Sequence, residues 1–207
     1  MKVNKKYNCL FIGNAIVDVV SEVSFDFLEK QKIEVGSWRP VSINEINELQ
    51  EKMSNTIIAS GGSAANSAVG FSLLGGRSAF IGRVKSDDFG SLYINDLKEA
   101  NVDFISNPVD TGNETGRCLV YVSPDAQRSM RTYLGAASNL SQENLDINAF
   151  ENSEIVYMEG YLWDEPVAKE AYKKAFDLSK KLEIKSALSL SDKFCVEKWR
   201  DEFRNLS

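Results

Sequence analysis

Histidine is absent from all 207 residues. That absence excludes a Ser-His-Asp or Cys-His nucleophile system, and any histidine-ligated metal site, within the chain. Acid–base work is left to carboxylates, Lys, Tyr or Cys. Cysteine is scarce. Cys9, Cys118 and Cys195 lie far apart in apolar contexts with no C-x-x-C pair, the pattern of buried thiols in a reducing cytosol. Proline (4) and glycine (13) are too few for disorder, and there is no repeat or low-complexity segment. No apolar run approaches a membrane span. The run Cys9 to Ile12, behind the basic Met1-Lys2-Val3-Asn4-Lys5-Lys6, is too short for a signal-peptide core, so a cytoplasmic protein without a membrane partner is expected. Lys and Arg number 24 against 30 Asp and Glu, a net charge of −6 with no basic stripe, which argues against nucleic acid as a partner. Two nucleotide signatures are also missing. No G-x-x-x-x-G-K-[ST] occurs, and the first strand runs into Gly13-Asn14-Ala15 rather than G-x-G-x-x-G, which disfavours a P-loop enzyme and a standard Rossmann dehydrogenase.

What is present is ordinary for a globular protein: 43% hydrophobic and 26% charged residues. The length predicts one main domain with an excursion. Tyr7 to Ile12 reads as a strand ending at Gly13-Asn14, and Ala15 to Val20 continues extended with Asp18 embedded in it. Ser42-Ile43-Asn44-Glu45 is a capping box ahead of a helix to about Met53. Thr56-Ile57-Ile58 reads as a strand, followed by a small-residue helix, the strand Ser78 to Val84, and a helix that Ser86-Asp87-Asp88 caps and that reaches Ala100. This is βαβ rhythm and predicts parallel pairing. Arg117 to Val122 and Arg128 to Leu134, joined by Ser123-Pro124-Asp125-Ala126, predict an antiparallel hairpin outside that sheet. Arg128 and Arg131, three apart, take opposite faces. A strand at Glu154 to Met158, a helix from Pro166 to about Leu182 with Lys173, Lys174, Lys180 and Lys181 on a solvated face, a strand at Ile184 to Leu190 and a last helix from Ser191-Asp192 complete the pattern.

The most informative segment is Ala59-Ser60-Gly61-Gly62-Ser63-Ala64-Ala65-Asn66. Paired glycines let the backbone turn tightly into a helix whose first N–H groups have no internal partner. Such a corner can hold a phosphate or a polyol hydroxyl, or be only a close-packed turn. In an open α/β sheet ligands gather at the carboxyl ends of strands, so Asn14, Asp18, Gly61, Gly62, Asn66 and Glu159 can converge on one crevice. Carboxylates accept hydrogen bonds and amides both accept and donate, which suits several hydroxyls at once. Asn66 alone also reads as a helix-turn hydrogen bonder and Glu159 as a solvated strand end. Asp18 is the strongest candidate, because a carboxylate in an apolar strand is costly without a partner or a task.

With these pieces assembled the chain resembles the ribokinase or PfkB family of carbohydrate kinases, in its adenosine-kinase-like branch. The matching segments are Gly13-Asn14-Ala15-Ile16-Val17-Asp18, Gly61-Gly62-Ser63-Ala64-Ala65-Asn66, Ala79-Phe80-Ile81-Gly82-Arg83-Val84 with Asp88-Phe89-Gly90, and Arg128-Ser129-Met130. Lys85 stands where the family's signature usually closes with glycine. The resemblance implies a ribokinase-like α/β fold: an open, mostly parallel sheet with flanking helices, incomplete here, plus a small antiparallel β lid formed by excursions at roughly 15–60 and 110–135. It implies that Asn14 and Asp18 hold hydroxyls of a sugar or nucleoside, that Gly61, Gly62 and Asn66 complete the pocket floor, and that Glu159 reaches in from the neighbouring strand. Arg128 is placed near the transferred phosphate. ATP and Mg²⁺ are the implied cofactors, and a homodimer through the lid is one of the assemblies the resemblance allows.

The family's later Asn-x-x-Glu motif, linked to metal and phosphate, and its G-A-G-D segment with the catalytic base are both expected to be absent from these 207 residues. The base aspartate is therefore expected beyond Ser207, and the chain is expected to be the substrate-binding, N-terminal part of a kinase, inactive by itself. The alternative is a sugar- or nucleoside-binding module without turnover.

Overall fold

The computed structural model describes residues 5–206. Residues 1–4 of the basic N-terminus and residue 207 lie outside the described residues. Along the chain run β1 (Tyr7–Ile12), β2 (Ile16–Glu22), α1 (Phe25–Lys30), β3 (Trp38–Pro40), α2 (Ile43–Gln50), β4 (Ile57–Gly61), α3 (Ser63–Leu73), β5 (Ser78–Ile81), α4 (Asp88–Glu99) and β6 (Val102–Phe104). There follow β7 (Gly116–Val122), β8 (Arg128–Tyr133), α5 (Ile147–Glu151), β9 (Ser153–Glu159), α6 (Pro166–Lys181), β10 (Lys185–Ser189) and α7 (Lys193–Arg204).

Among the described residues ten strands divide into two sheets of five. The first, in the order β10-β9-β1-β5-β6, is parallel throughout. In β1 and β5 nearly every residue is buried on either face, as a near-continuous apolar run such as YNCLFI in β1 requires, while Lys185, Ser186 and Ala187 of the edge strand β10 are exposed. Leu10, Ile12, Ala79, Ile81, Val156 and Met158 pack with Phe150 of α5 and Tyr172 of α6. The alternate residues Cys9, Phe11 and Phe80 pack with Ala64, Ala65 and Ala68 of α3 and Tyr93 and Leu97 of α4. In α6 the buried Ala168, Ala171, Tyr172, Ala175 and Ser179 recur at helical spacing, behind Pro166 in the first turn.

The second sheet has the order β3-β8-β7-β2-β4. The hairpin β7–β8 is antiparallel as the turn chemistry predicts, with Cys118 opposite Thr132. The sheet as a whole is mixed rather than antiparallel, because β2 runs parallel to β7 and β3 parallel to β8. A second difference concerns β4. Its βαβ rhythm predicts membership of the parallel sheet, but it pairs antiparallel with β2, Ile16 opposite Gly61 and Asp18 opposite Ala59. Ile57 and Ile58, despite their apolar side chains, are exposed on this edge strand. Alternation shows that a segment is extended, whereas the sheet it joins depends on partners distant in sequence. One face of the second sheet is sealed by its own helices: Val19, Leu119 and Tyr121 pack on Leu28 of α1 and on Ile46 and Leu49 of α2. Ser42 caps α2 by accepting from the Glu45 N–H, while Glu45 pairs with Arg39 instead of completing the capping box. The short elements α1, β3, β6 and α5 are not legible in the sequence pattern.

Candidate functional site

The chain passes between the two sheets four times, and the first two of these crossings touch. After β1, residues 13–15 carry the chain from the parallel sheet into β2 of the mixed one. At Gly61-Gly62 it returns from β4 into α3, which lies on the parallel sheet. Gly62 has φ of 95°, and a Cβ there would collide with the Asn14 carbonyl oxygen, so only glycine fits where the crossings touch. A Cβ at Gly61 would overlap the Asp18 carboxylate.

Asp18 projects from β2 with no hydrogen-bond donor and no ion pair. Burial pushes its carboxyl up to about 6, and the positive charge of Arg128 acts in the opposite direction. Arg128 is exposed at the start of β8 and shares the sheet face of Asp18, since Asp18, Cys118 and Thr132 lie in register and Arg128 is four residues from Thr132. Arg131 lies on the opposite face, buried, and donates to Ser37 Oγ at 3.1 Å. The face that bears Asp18 also carries Thr132 and the apolar Ile16, Cys118 and Val120, with Ala137 packed against the last three. Asn66 is exposed in the first turn of α3, where its N–H bonds the Gly62 carbonyl at 2.9 Å.

Glu159, the last residue of β9, has no exposed surface. Its Oε1 accepts from the Asn14 N–H and from Asn14 Nδ2, both at 2.7 Å. Its Oε2 accepts from Ser63 Oγ at 2.5 Å and from the Ala64 N–H at 2.8 Å. Burial pushes this carboxyl up, and the four hydrogen bonds oppose that shift. No cation pairs with it; the N-terminus of α3 provides the compensating positive potential. Ser63 is a site residue that sequence reasoning missed. Its signal was its place in the first helical turn after the double glycine, a position where side chains and ligands meet unpaired backbone donors.

Two other sequence features fall elsewhere. Asp87 is the cap it appeared to be, its Oδ1 accepting from the Gly90 N–H at 2.8 Å and from Thr115 Oγ1 at 2.6 Å. Asn148-Ala149-Phe150-Glu151 does spell Asn-x-x-Glu, which corrects the expectation that the string is absent. It lies in α5, which precedes the first residue of β9, whereas the glycine corner meets the last residue of that seven-residue strand. It is therefore at the opposite end of the sheet from the site.

Comparison with known proteins agrees with this architecture. The structure superposes on a probable sugar kinase protein from Rhizobium etli with a TM-score of 0.90 and 34% identity, covering 98% of this chain and 61% of that one. It superposes on the adenosine kinase from Sinorhizobium meliloti with a TM-score of 0.89 and 39% identity, covering 97% of this chain and 62% of that one. Among curated sequences, the fructokinase of Escherichia coli is 31% identical over 113 residues, 55% of this chain and 37% of the fructokinase. The chain thus spans less than two thirds of the length of these relatives. The profile of the pfkB family carbohydrate kinases matches residues 30–203. A parallel sheet flanked by helices, a mixed second sheet and a glycine corner between them agree with that match, and the chain belongs to the pfkB family of carbohydrate kinases.

Proposed function

We propose that this chain forms the acceptor pocket of a kinase that transfers the γ-phosphate of ATP to a hydroxyl of a nucleoside or sugar. The observation that carries this reading is Asp18: a largely buried carboxylate with no protein donor, seated on Gly61 beside the first turn of α3. Such a group is unfavourable in the empty protein and becomes favourable when ligand hydroxyls donate to it. Asp18 accepts from the acceptor's hydroxyls, Asn66 at the helix start supplies a further polar contact, and Gly61 and Gly62 let the ligand approach backbone. The second sheet serves as the lid, and Arg128 on its rim offers positive charge toward the transferred group.

A nucleoside is the favoured acceptor. The 39% identity to an adenosine kinase supports this choice. Isothermal titration with adenosine, ribose and fructose tests the reading. Adenosine is expected to bind most tightly, and binding of none of the three would overturn it.

ATP and Mg²⁺ are not assigned to residues of this chain. Among the described residues no group of three or more carboxylates or thiols is arranged to hold a metal ion, and no G-A-G-D string occurs in the sequence. The part this chain plays is to bind and orient the hydroxyl that accepts phosphate, and to exclude water when the second sheet covers it. No helix among the described residues is long and apolar enough to cross a membrane. The three buried, unpaired cysteines suit a reducing cytoplasm.

A further inference from the structure

The amide of Asn14 is held in one orientation. Its Nδ2 donates to Glu159 Oε1 at 2.7 Å, and the backbone N–H of the same residue donates to the same oxygen. The other end of the amide, Oδ1, is then an acceptor, buried and without a partner. Asn14 is only 4% exposed, so this orphaned oxygen sits in the protein interior at the junction of the two crossings. A buried acceptor left unpaired costs free energy until a donor arrives. The other oxygen of Glu159 fixes Ser63 and Ala64, the residues that open α3.

We infer that Glu159 is a positioning residue. It acts on the ligand through Asn14 and the first turn of α3, fixing Asn14 Oδ1 as an acceptor that demands a donating hydroxyl from the bound molecule. This inference rests on the acceptor-pocket reading above. Both oxygens of Glu159 are already occupied by protein donors, so its carboxylate has no vacant role as a direct ligand. A glutamine in its place would turn an N–H₂ toward one of the two donor pairs. The resulting conflict is relieved most simply by rotation of the Asn14 amide, which exchanges the acceptor facing the ligand for a donor.

Two measurements test this. In NMR spectra of the ligand-free protein, the Asn14 side-chain amide protons should exchange slowly and resonate away from free-amide values, and Glu159→Gln should move them. Signals that match a solvated amide, or that ignore the substitution, would overturn the inference. In calorimetry with adenosine and its 2′-, 3′- and 5′-deoxy analogues, the wild type should lose about tenfold or more in affinity for at least one analogue, the scale of one buried hydrogen bond. Glu159→Gln should reduce that discrimination to about threefold or less. The pair Asn14→Asp with Glu159→Gln exchanges amide and carboxylate, restores an acceptor, and should recover part of the discrimination. Wild-type discrimination retained in Glu159→Gln would overturn the inference. If Glu159→Gln does not fold, Ser63→Ala removes a single donor and should shift the Asn14 side-chain signals in the same direction; unchanged signals count against the inference. Absence of adenosine binding in the wild type would defeat the nucleoside reading, with the Asn14 resonances still deciding the positioning role.

Discussion

The two sheets solve different problems. The central strands of the parallel sheet bury both faces, and the fully buried Glu159 at the end of β9 is satisfied by four donors. The mixed sheet seals one face with α1 and α2 and carries on its other face a partly buried carboxylate without a protein donor, Asp18. In the reading proposed above the two sheets divide the work: Glu159 in the body, held by hydrogen bonds, orients Asn14, while the second sheet carries Asp18 without a protein partner to meet the ligand. The corner at Gly61-Gly62, where the sheets meet, belongs to both.

The sharpest way to break this division is a core truncation in the body. Leu10→Ala, at a fully buried position of β1, should lower unfolding free energy by about 3 kcal/mol. Adenosine affinity of the folded fraction should be unchanged, as urea denaturation followed by titration would read; a comparable loss of affinity would merge the two roles. The reciprocal change is Asp18→Asn. Here binding should weaken by roughly 30-fold, about 2 kcal/mol, while the denaturation midpoint stays level or rises, because a desolvated carboxylate has been removed. Unchanged affinity would take Asp18 out of the pocket.

The same residue sharpens the comparison through pH. The folded state holds the Asp18 proton more tightly than the unfolded chain does, with a carboxyl raised to about 6. Its contribution to stability is therefore full below about pH 4 and is lost as pH rises through about 6, the reverse of an ion-paired aspartate. Ligand affinity should change oppositely, rising between about pH 5 and 7 as the acceptor carboxylate ionises. Titrations across that range should show both slopes in the wild type and neither in Asp18→Asn. The smallest expected effect lies at the far edge of the second sheet, where Trp38 of β3 stacks on Phe194 of α7 with ring centroids 5.5 Å apart and donates to Thr132 Oγ1 at 3.1 Å. Trp38→Ala should cost about 1 kcal/mol. It should speed hydrogen exchange in β3 but leave the β1–β9 pairing untouched; equal acceleration in both sheets would show that they open together.

Much of this was legible from particular residues. The run from Tyr7 to Ile12 read as an apolar strand, Ser86-Asp87-Asp88 announced a capped helix, and Pro166 announced the start of α6. Asp18 stood out because its neighbours Val17 and Val19 are apolar. The destination of β4 was not legible, because local pattern specifies extension and not partner. Nor was the short β3, whose three exposed residues are held by pairing with β8, more than 90 positions away.

By itself the sequence determined the element order, the tight turn at Gly61-Gly62 and the presence of one carboxylate without a local partner. These follow from backbone sterics and from the cost of burying charge, which act between near neighbours in the chain. Only the tertiary structure decided what Asn14, Ser63 and Glu159 do. Their hydrogen bonds span 96 and 145 positions, and which atoms of an amide or a carboxylate are left over depends on which donors the fold brings to them.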